Sequence, residues 1–251
     1  MVHFVGAGSG AADLITLRGA RLLREADVVI YAGSRVNPAL LQETRPDCSI
    51  HNSAHMTLEQ VLAVIREAEA AGKMTVRLHT GDPSLYGAVR EQYDALDAAG
   101  IPYAVCPGVS SFCGAAAALK AEYTLPGVSQ TVIITRIAGR TGVPEAESVR
   151  ALAAHHATMI FFLSTGLSQA LQEELLAGGC AADTPAAVVY KATWPEEQIL
   201  RCTVGTLHRC ITESGLSKTA LIVVGQCMGD RYLRSLLYDP AFSTGYREAS
   251  R

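Results

Sequence analysis

The sequence predicts an α/β protein of two domains, the first with a mostly parallel sheet and the second with a mixed one. Three observations carry that expectation. Short apolar runs without polar alternation recur along the chain, as strands buried on both faces require. In the first half these runs alternate with helical stretches, the pattern of a parallel sheet covered by helices. In the second half two of them are separated only by KATWPEE (191–197), a hairpin-like spacing that points to antiparallel pairing.

The elements follow in order. VHFV (2–5) reads as a buried strand, GAGSGAAD as a glycine loop, and ITLRGARLLREA as a helix leading into the strand DVVIY (27–31). Arg18, Arg21 and Arg24 recur three apart and mark that helix's exposed face. IHNSAHMT (50–57) reads as loop. Thr57 and Gln60 form a capping box, so a helix starts there, and it runs to Ala71 and stops at Gly72. The strand MTVRL (74–78), the loop HTGDPSLYGA (79–88) and a helix ending near Gly100 come next. The strand YAVC (103–106) then leads through PGVSS into a small-residue helix. AEYTLPGVSQ (121–130) breaks the alternation with proline and glycine, which places the domain boundary between 1–120 and 121–251. The second domain offers strands TVIIT (131–135), TMIFF (158–162), AAVVY (186–190), QILRCTV (198–204) and ALIVV (220–224).

Composition excludes several classes of function. Apolar residues make up 49% of the 251 and charged ones 18%, so a sizeable core is available. A net charge of −3 supplies no general field for nucleic acid or an acidic membrane. Seven cysteines without a CxxC pair fit free thiols in a reducing compartment. The N-terminus has no basic and apolar leader, and ATMIFFL (157–163) is too short to span a bilayer. The expectation is a cytoplasmic protein with neither nucleic-acid nor membrane partners.

The usual motifs are absent or incomplete. Gly6, Gly8 and Ala11 satisfy a relaxed dinucleotide fingerprint, but no acid follows the second strand, where Ala32 stands. There is no GK[ST], so a phosphate loop of the Walker type is excluded. His51 and His55 precede the helix cap and do not share a helix face, and no metal site is expected. Ser110 and Ser111 follow PGV rather than forming G-x-S-x-G.

Two loops stand out. Gly81 lets the main chain approach a ligand without a Cβ, and Pro83 holds Asp82 extended. CPGVSS repeats the arrangement one strand later. Both loops leave the carboxyl ends of presumed parallel strands, where open α/β sheets bind ligands. They either hold a small polar molecule by backbone groups or are ordinary strand–helix turns.

Together, GxGSGxxDLITLRGxRLL, GDPSLYG and PGVSS resemble the tetrapyrrole (corrin and porphyrin) methyltransferases, over essentially the whole chain. YAGSRVNPALL (31–41), SAHMTLEQV (53–61), TRIAGRTGVPE (135–145) and LYDPAFSTGYR (237–247) resemble the branch of that family acting on precorrins in cobalamin biosynthesis. The resemblance implies two α/β domains with a ligand trough between them, S-adenosyl-L-methionine as methyl donor, a tetrapyrrole (precorrin) substrate and a homodimer. It carries cofactor contacts onto Ala7, Thr80, Gly81, Asp82, Leu85, Ser110, Ser111, Thr165 and Ala192. Thr165 stands where the family often has methionine, and Lys191-Ala192-Thr193 where it often has asparagine-glycine-threonine. The substrate so implied bears several carboxylates. Arg35, Arg136 and Arg140, in loops near strand ends, either pair with them or are solvated surface arginines.

The implied chemistry explains why no catalytic triad is visible. A sulfonium methyl is already electrophilic and an enamine-like ring carbon is nucleophilic, so alignment of the two atoms does much of the catalysis. No general base is assigned. Whether the macrocycle carries cobalt stays open, and a non-catalytic tetrapyrrole carrier and a nicotinamide dehydrogenase are the readings from other classes.

Overall fold

The computed structural model describes residues 1–250. The chain divides into two compact units. The first is Met1–Ala115 together with Lys191–Glu197, and the second is Ala116–Tyr190 together with the chain from Gln198 onward.

The first unit holds five strands, β1 (Val2–Gly6), β2 (Val28–Tyr31), β3 (Ser49–Asn52), β4 (Thr75–His79) and β5 (Tyr103–Cys106). All pair in parallel, in the order β3-β2-β4-β1-β5. The unit also holds α1 (Leu17–Glu25), α2 (Leu58–Ala70), α3 (Arg90–Ala98) and the start of α4 (Ser111–Leu119). Side chains leave the two faces alternately. Val5, Val29, Val76 and Leu78 pack with Leu22 and Leu23 of α1, and Phe4 and Ile30 pack with Leu62 and Ile65 of α2 and Leu96 of α3. Burial on both faces is why β2, VVIY, reads as an unbroken apolar run.

Local signals set the helix ends. The Gln60 N–H donates to Thr57 Oγ1 at 3.3 Å and the Thr57 N–H to Gln60 Oε1 at 2.8 Å, completing the capping box of α2. Such a cap stabilises a helix by about 1 kcal/mol. Gly72, at φ +67°, ends the same helix. Arg18, Arg21 and Arg24 lie exposed along α1, as their spacing predicts.

One expectation is corrected. Residues 50–52, read as the start of a loop, belong to β3 (Ser49–Asn52) at the edge of the sheet. It pairs on one side only and is largely exposed, so it needs no apolar pattern to be a strand.

The second unit holds β6 (Val132–Thr135), β7 (Thr158–Phe161), β8 (Pro185–Tyr190), β9 (Gln198–Thr203) and β10 (Ala220–Val224), in the order β6-β7-β10-β8-β9. Only β6 and β7 are parallel; β10 runs antiparallel to both β7 and β8, and β8 to β9. The sheet is mixed, as the short KATWPEE connection predicts. Its core joins Met159, Phe161, Val188 and Ile222 to Leu171 and Leu175 of α6 (Ser168–Ala177) and Leu207 and Ile211 of α7 (Leu207–Ser214). A short helix, α5 (Val149–Ala153), completes the unit. Among the described residues no helix is long and apolar enough to cross a membrane.

Candidate functional site

The loops after β1, β4 and β5 converge because these strands are neighbours in one parallel sheet. β1 lies between β4 and β5, so all three carboxyl ends emerge together. The pairing of β1 with β4 continues past the strands. The Ala7 N–H donates to the His79 carbonyl at 2.7 Å, the Gly81 N–H to the Gly8 carbonyl at 3.1 Å, and the Gly8 N–H to the Gly81 carbonyl at 3.3 Å.

Glycine is required where these backbones cross. A Cβ on Gly108 would lie 2.2 Å from the Gly81 carbonyl oxygen, and one on Gly6 would lie 2.5 Å from both that oxygen and Gly108 Cα. Gly81 is a different case. A Cβ there meets nothing closer than 3.4 Å, but its φ of +62° strains any side chain.

Asp82 braces the two loops. One carboxylate oxygen accepts the Gly108 N–H at 2.8 Å, and the other accepts the Ser84 N–H at 2.9 Å and the Ser84 hydroxyl. Burial alone would raise its pKa. The bonds from the Ser84 hydroxyl and from the Gly108 and Ser84 amides outweigh burial and hold it below the ordinary carboxylate value. Its oxygens are therefore largely committed within the protein.

Two buried polar atoms in this neighbourhood have no hydrogen-bond partner, the Thr80 hydroxyl and the adjacent His79 Nε2. Beside Thr80, Gly81 turns into the left-handed region, and Ser110, 6% exposed, stands at the start of α4 with Ser111 as its first residue. Leu85 is half-buried, with its N–H on the Asp82 carbonyl at 3.3 Å. Ala7 is buried and packs in the core beneath, so its side chain supports the loop rather than facing out of it. His79 is buried too. Burial, and then the charge of Arg77, push its pKa down to about 3, so it is a neutral imidazole under ordinary conditions.

Residues 191–197 complete this side of the first unit. Thr193, at φ +68°, accepts the Ala11 N–H on its hydroxyl at 2.9 Å. The Ala192 carbonyl and the Trp194 indole lie against Gly10, where a Cβ would meet Trp194 Cδ1 at 2.2 Å. Asn37 donates from Nδ2 to the Gly10 carbonyl at 3.0 Å. Sequence reasoning did not single out Asn37 or Trp194. The GxG and PG patterns were signals for close backbone approach, but nothing local pairs Trp194 with Gly10.

Other expected site residues are placed differently. Thr165 lies in the second unit, buried, and its hydroxyl donates to the Ala220 carbonyl at 3.2 Å. Arg136 folds over its own loop and donates to the carbonyls of Thr141 at 3.1 Å and Gly142 at 2.6 Å. Arg35 and Arg140 are exposed.

A parallel sheet with glycine loops gathered at its carboxyl edge, followed by a mixed sheet, is the architecture of a known class. The description Tetrapyrrole (Corrin/Porphyrin) Methylases matches residues 1–208, and the chain belongs to that family. Particular relatives sharpen the class. The chain is 48% identical to the cobalt-precorrin-4 C(11)-methyltransferase of Methanocaldococcus jannaschii, over 100% of this chain and 97% of that one. It is 44% identical to the precorrin-4 C(11)-methyltransferase of Mycobacterium tuberculosis, over 96% of each. Its fold superposes on the X-ray structure of a cobalt precorrin-4 methyltransferase with a TM-score of 0.89 at 43% identity, covering 91% of this chain and 96% of that one. The uroporphyrin-III C-methyltransferase of Thermus thermophilus, solved with S-adenosylhomocysteine, matches with a TM-score of 0.76 at 26% identity, covering 91% and 93%.

Proposed function

We propose that this chain transfers a methyl group from S-adenosyl-L-methionine to carbon 11 of precorrin-4, giving precorrin-5 in cobalamin biosynthesis. The observation that supports a donor seat is the buried Thr80 hydroxyl, left without a partner beside the left-handed Gly81, which itself lies against Ser110 and Ser111 at the start of α4. A buried hydroxyl without a partner is costly unless a ligand satisfies it. In this reading Thr80, Gly81, Ser110 and Ser111 hold the donor by hydroxyl and backbone groups, and Leu85 adds apolar contact. Bound there, the donor supplies an electrophilic methyl on a sulfonium. The chain's own contribution is placement: Asp82 locks the β4 loop to the β5 loop, and Thr193 and Trp194 hold the β1 loop. Such rigidity is what an in-line transfer needs from its protein. The reading includes a homodimer in the cytoplasm.

The test is incubation with isotopically labelled methyl donor and precorrin-4, with the label located by carbon NMR. Label at carbon 11 is expected. Label at another ring carbon overturns the regiochemistry, and ring binding without donor binding makes the protein a carrier. The names of the M. jannaschii relative and of the solved cobalt-precorrin enzyme favour a second substrate form. Parallel assays on metal-free and cobalt-loaded rings compare kcat/KM for the two.

A further inference from the structure

Arg77 lies on β4 and is only 6% exposed. Its Nε donates to Gln92 Oε1 at 3.1 Å and one terminal nitrogen to the Ile30 carbonyl at 3.1 Å. Both acceptors are neutral. No ion pair among the described residues includes Arg77. Buried charges are ordinarily paired, so this guanidinium lacks a counter-charge. Burial draws its pKa down to about 10, which still leaves it protonated at neutral pH.

Next to it is a pocket of about 160 Å³, open to solvent on one side and bounded by Arg77, Gln92, Ser53, Thr57, Val61 and Gly87 among others. That volume admits a small oxyanion with water. The cavity lies at the N-terminal end of α2, where the Thr57 hydroxyl accepts the Gln60 N–H and donates to the Glu59 carboxylate. Glu91, exposed, is the one acid among the lining residues.

We infer that this cavity is a seat for a carboxylate-type oxyanion, held by the Arg77 guanidinium. A guanidinium offers a planar pair of donors that matches a carboxylate. The occupant is either a free small carboxylate or an acetate or propionate arm of a larger ligand; only the second source rests on the proposed reaction.

The experiment titrates the full chain with sodium acetate, ionic strength held by a bulky HEPES salt, and follows thermal unfolding and calorimetry. Acetate raises the melting temperature saturably in the wild type. Arg77→Met and Val61→Phe, the second of which fills the cavity with Arg77 in place, each weaken acetate binding by about tenfold or more. Glu91→Gln strengthens it by removing a repelling charge. An acetate response that survives in Val61→Phe overturns the inference even if Arg77→Met does not fold. So does a wild type that ignores acetate, or a Glu91→Gln variant that loses stability as a missing counter-ion would predict. Uroporphyrin, a tetrapyrrole polycarboxylate, is then added. Competition with acetate assigns the seat to a ring arm, and acetate binding without competition assigns it to a free anion. None of these readouts involves methyl transfer, so they stand or fall separately from the proposed activity.

Discussion

The loop after β4 and the loop after β7 end comparable buried strands, yet they use their polar groups in opposite ways. In the second unit the Ser164 hydroxyl accepts the Ile137 N–H at 3.1 Å and donates to the Phe162 carbonyl, while the Thr165 hydroxyl donates to the Ala220 carbonyl. Every one of those bonds is internal. In the first unit the Thr80 hydroxyl is buried and left over. The backbone differs as well: Gly81 takes the left-handed conformation without penalty, whereas Leu163 takes it at φ +53° with its side chain 55% exposed. The β7 loop thus meets its own hydroxyls, and the β4 loop leaves the Thr80 hydroxyl over.

The largest effect that would break this comparison is Gly108→Ala. Its methyl would press on the Gly81 carbonyl, so the variant should lose about 3 kcal/mol of stability. S-adenosylhomocysteine binding should disappear with it, as urea unfolding and calorimetry would show. Unchanged affinity would mean that the close crossing does not shape the seat.

A threonine pair sharpens the contrast. Thr80→Val removes an unsatisfied hydroxyl and should leave stability unchanged or raise it by about 1 kcal/mol, while weakening S-adenosylhomocysteine. Thr165→Val strands the Ala220 carbonyl and should cost about 1 kcal/mol. Equal signs in the two melts would erase the distinction between the loops.

Asp82 gives a pH signature. Its folded pKa lies below its unfolded value, so its contribution to stability is fully present above the ordinary carboxylate value of about 3.9 and is lost as pH falls through the folded pKa. Asp82→Asn should flatten that acid limb of a melting-temperature profile. An identical profile in wild type and variant would remove Asp82 as the brace.

The smallest effect separates two arginines. Arg140→Ala should move stability by less than about 0.5 kcal/mol, because its side chain is exposed. Arg136→Ala should cost about 1 kcal/mol by freeing two loop carbonyls. If Arg140 meets a substrate carboxylate, its variant raises KM and leaves the melt alone.

Much of this was legible because strands such as VVIY and ALIVV are buried on both faces and read as apolar without reference to anything distant. Thr57 and Gln60 were legible because a capping box is a four-residue event. β3 was not, because an edge strand with exposed Ser49 and Ile50 has no core to point at. For the site, glycines at 6, 81 and 108 mark close backbone crossings in the sequence itself, whereas the fates of Thr165 and Arg136 depend on which carbonyl the fold brings within reach. The contact of Trp194 with Gly10 is likewise a product of tertiary structure.

The placement of Lys191–Glu197 has a consequence for how such a protein can be divided. A gene split near its midpoint would not release a self-sufficient first half, because that fragment would lack the hydroxyl that receives the Ala11 amide and the indole resting on Gly10. Chimeras that exchange halves between relatives would have to match two distant stretches at once. Substitutions in 6–11 and 191–197 should therefore appear in concert across the lineage.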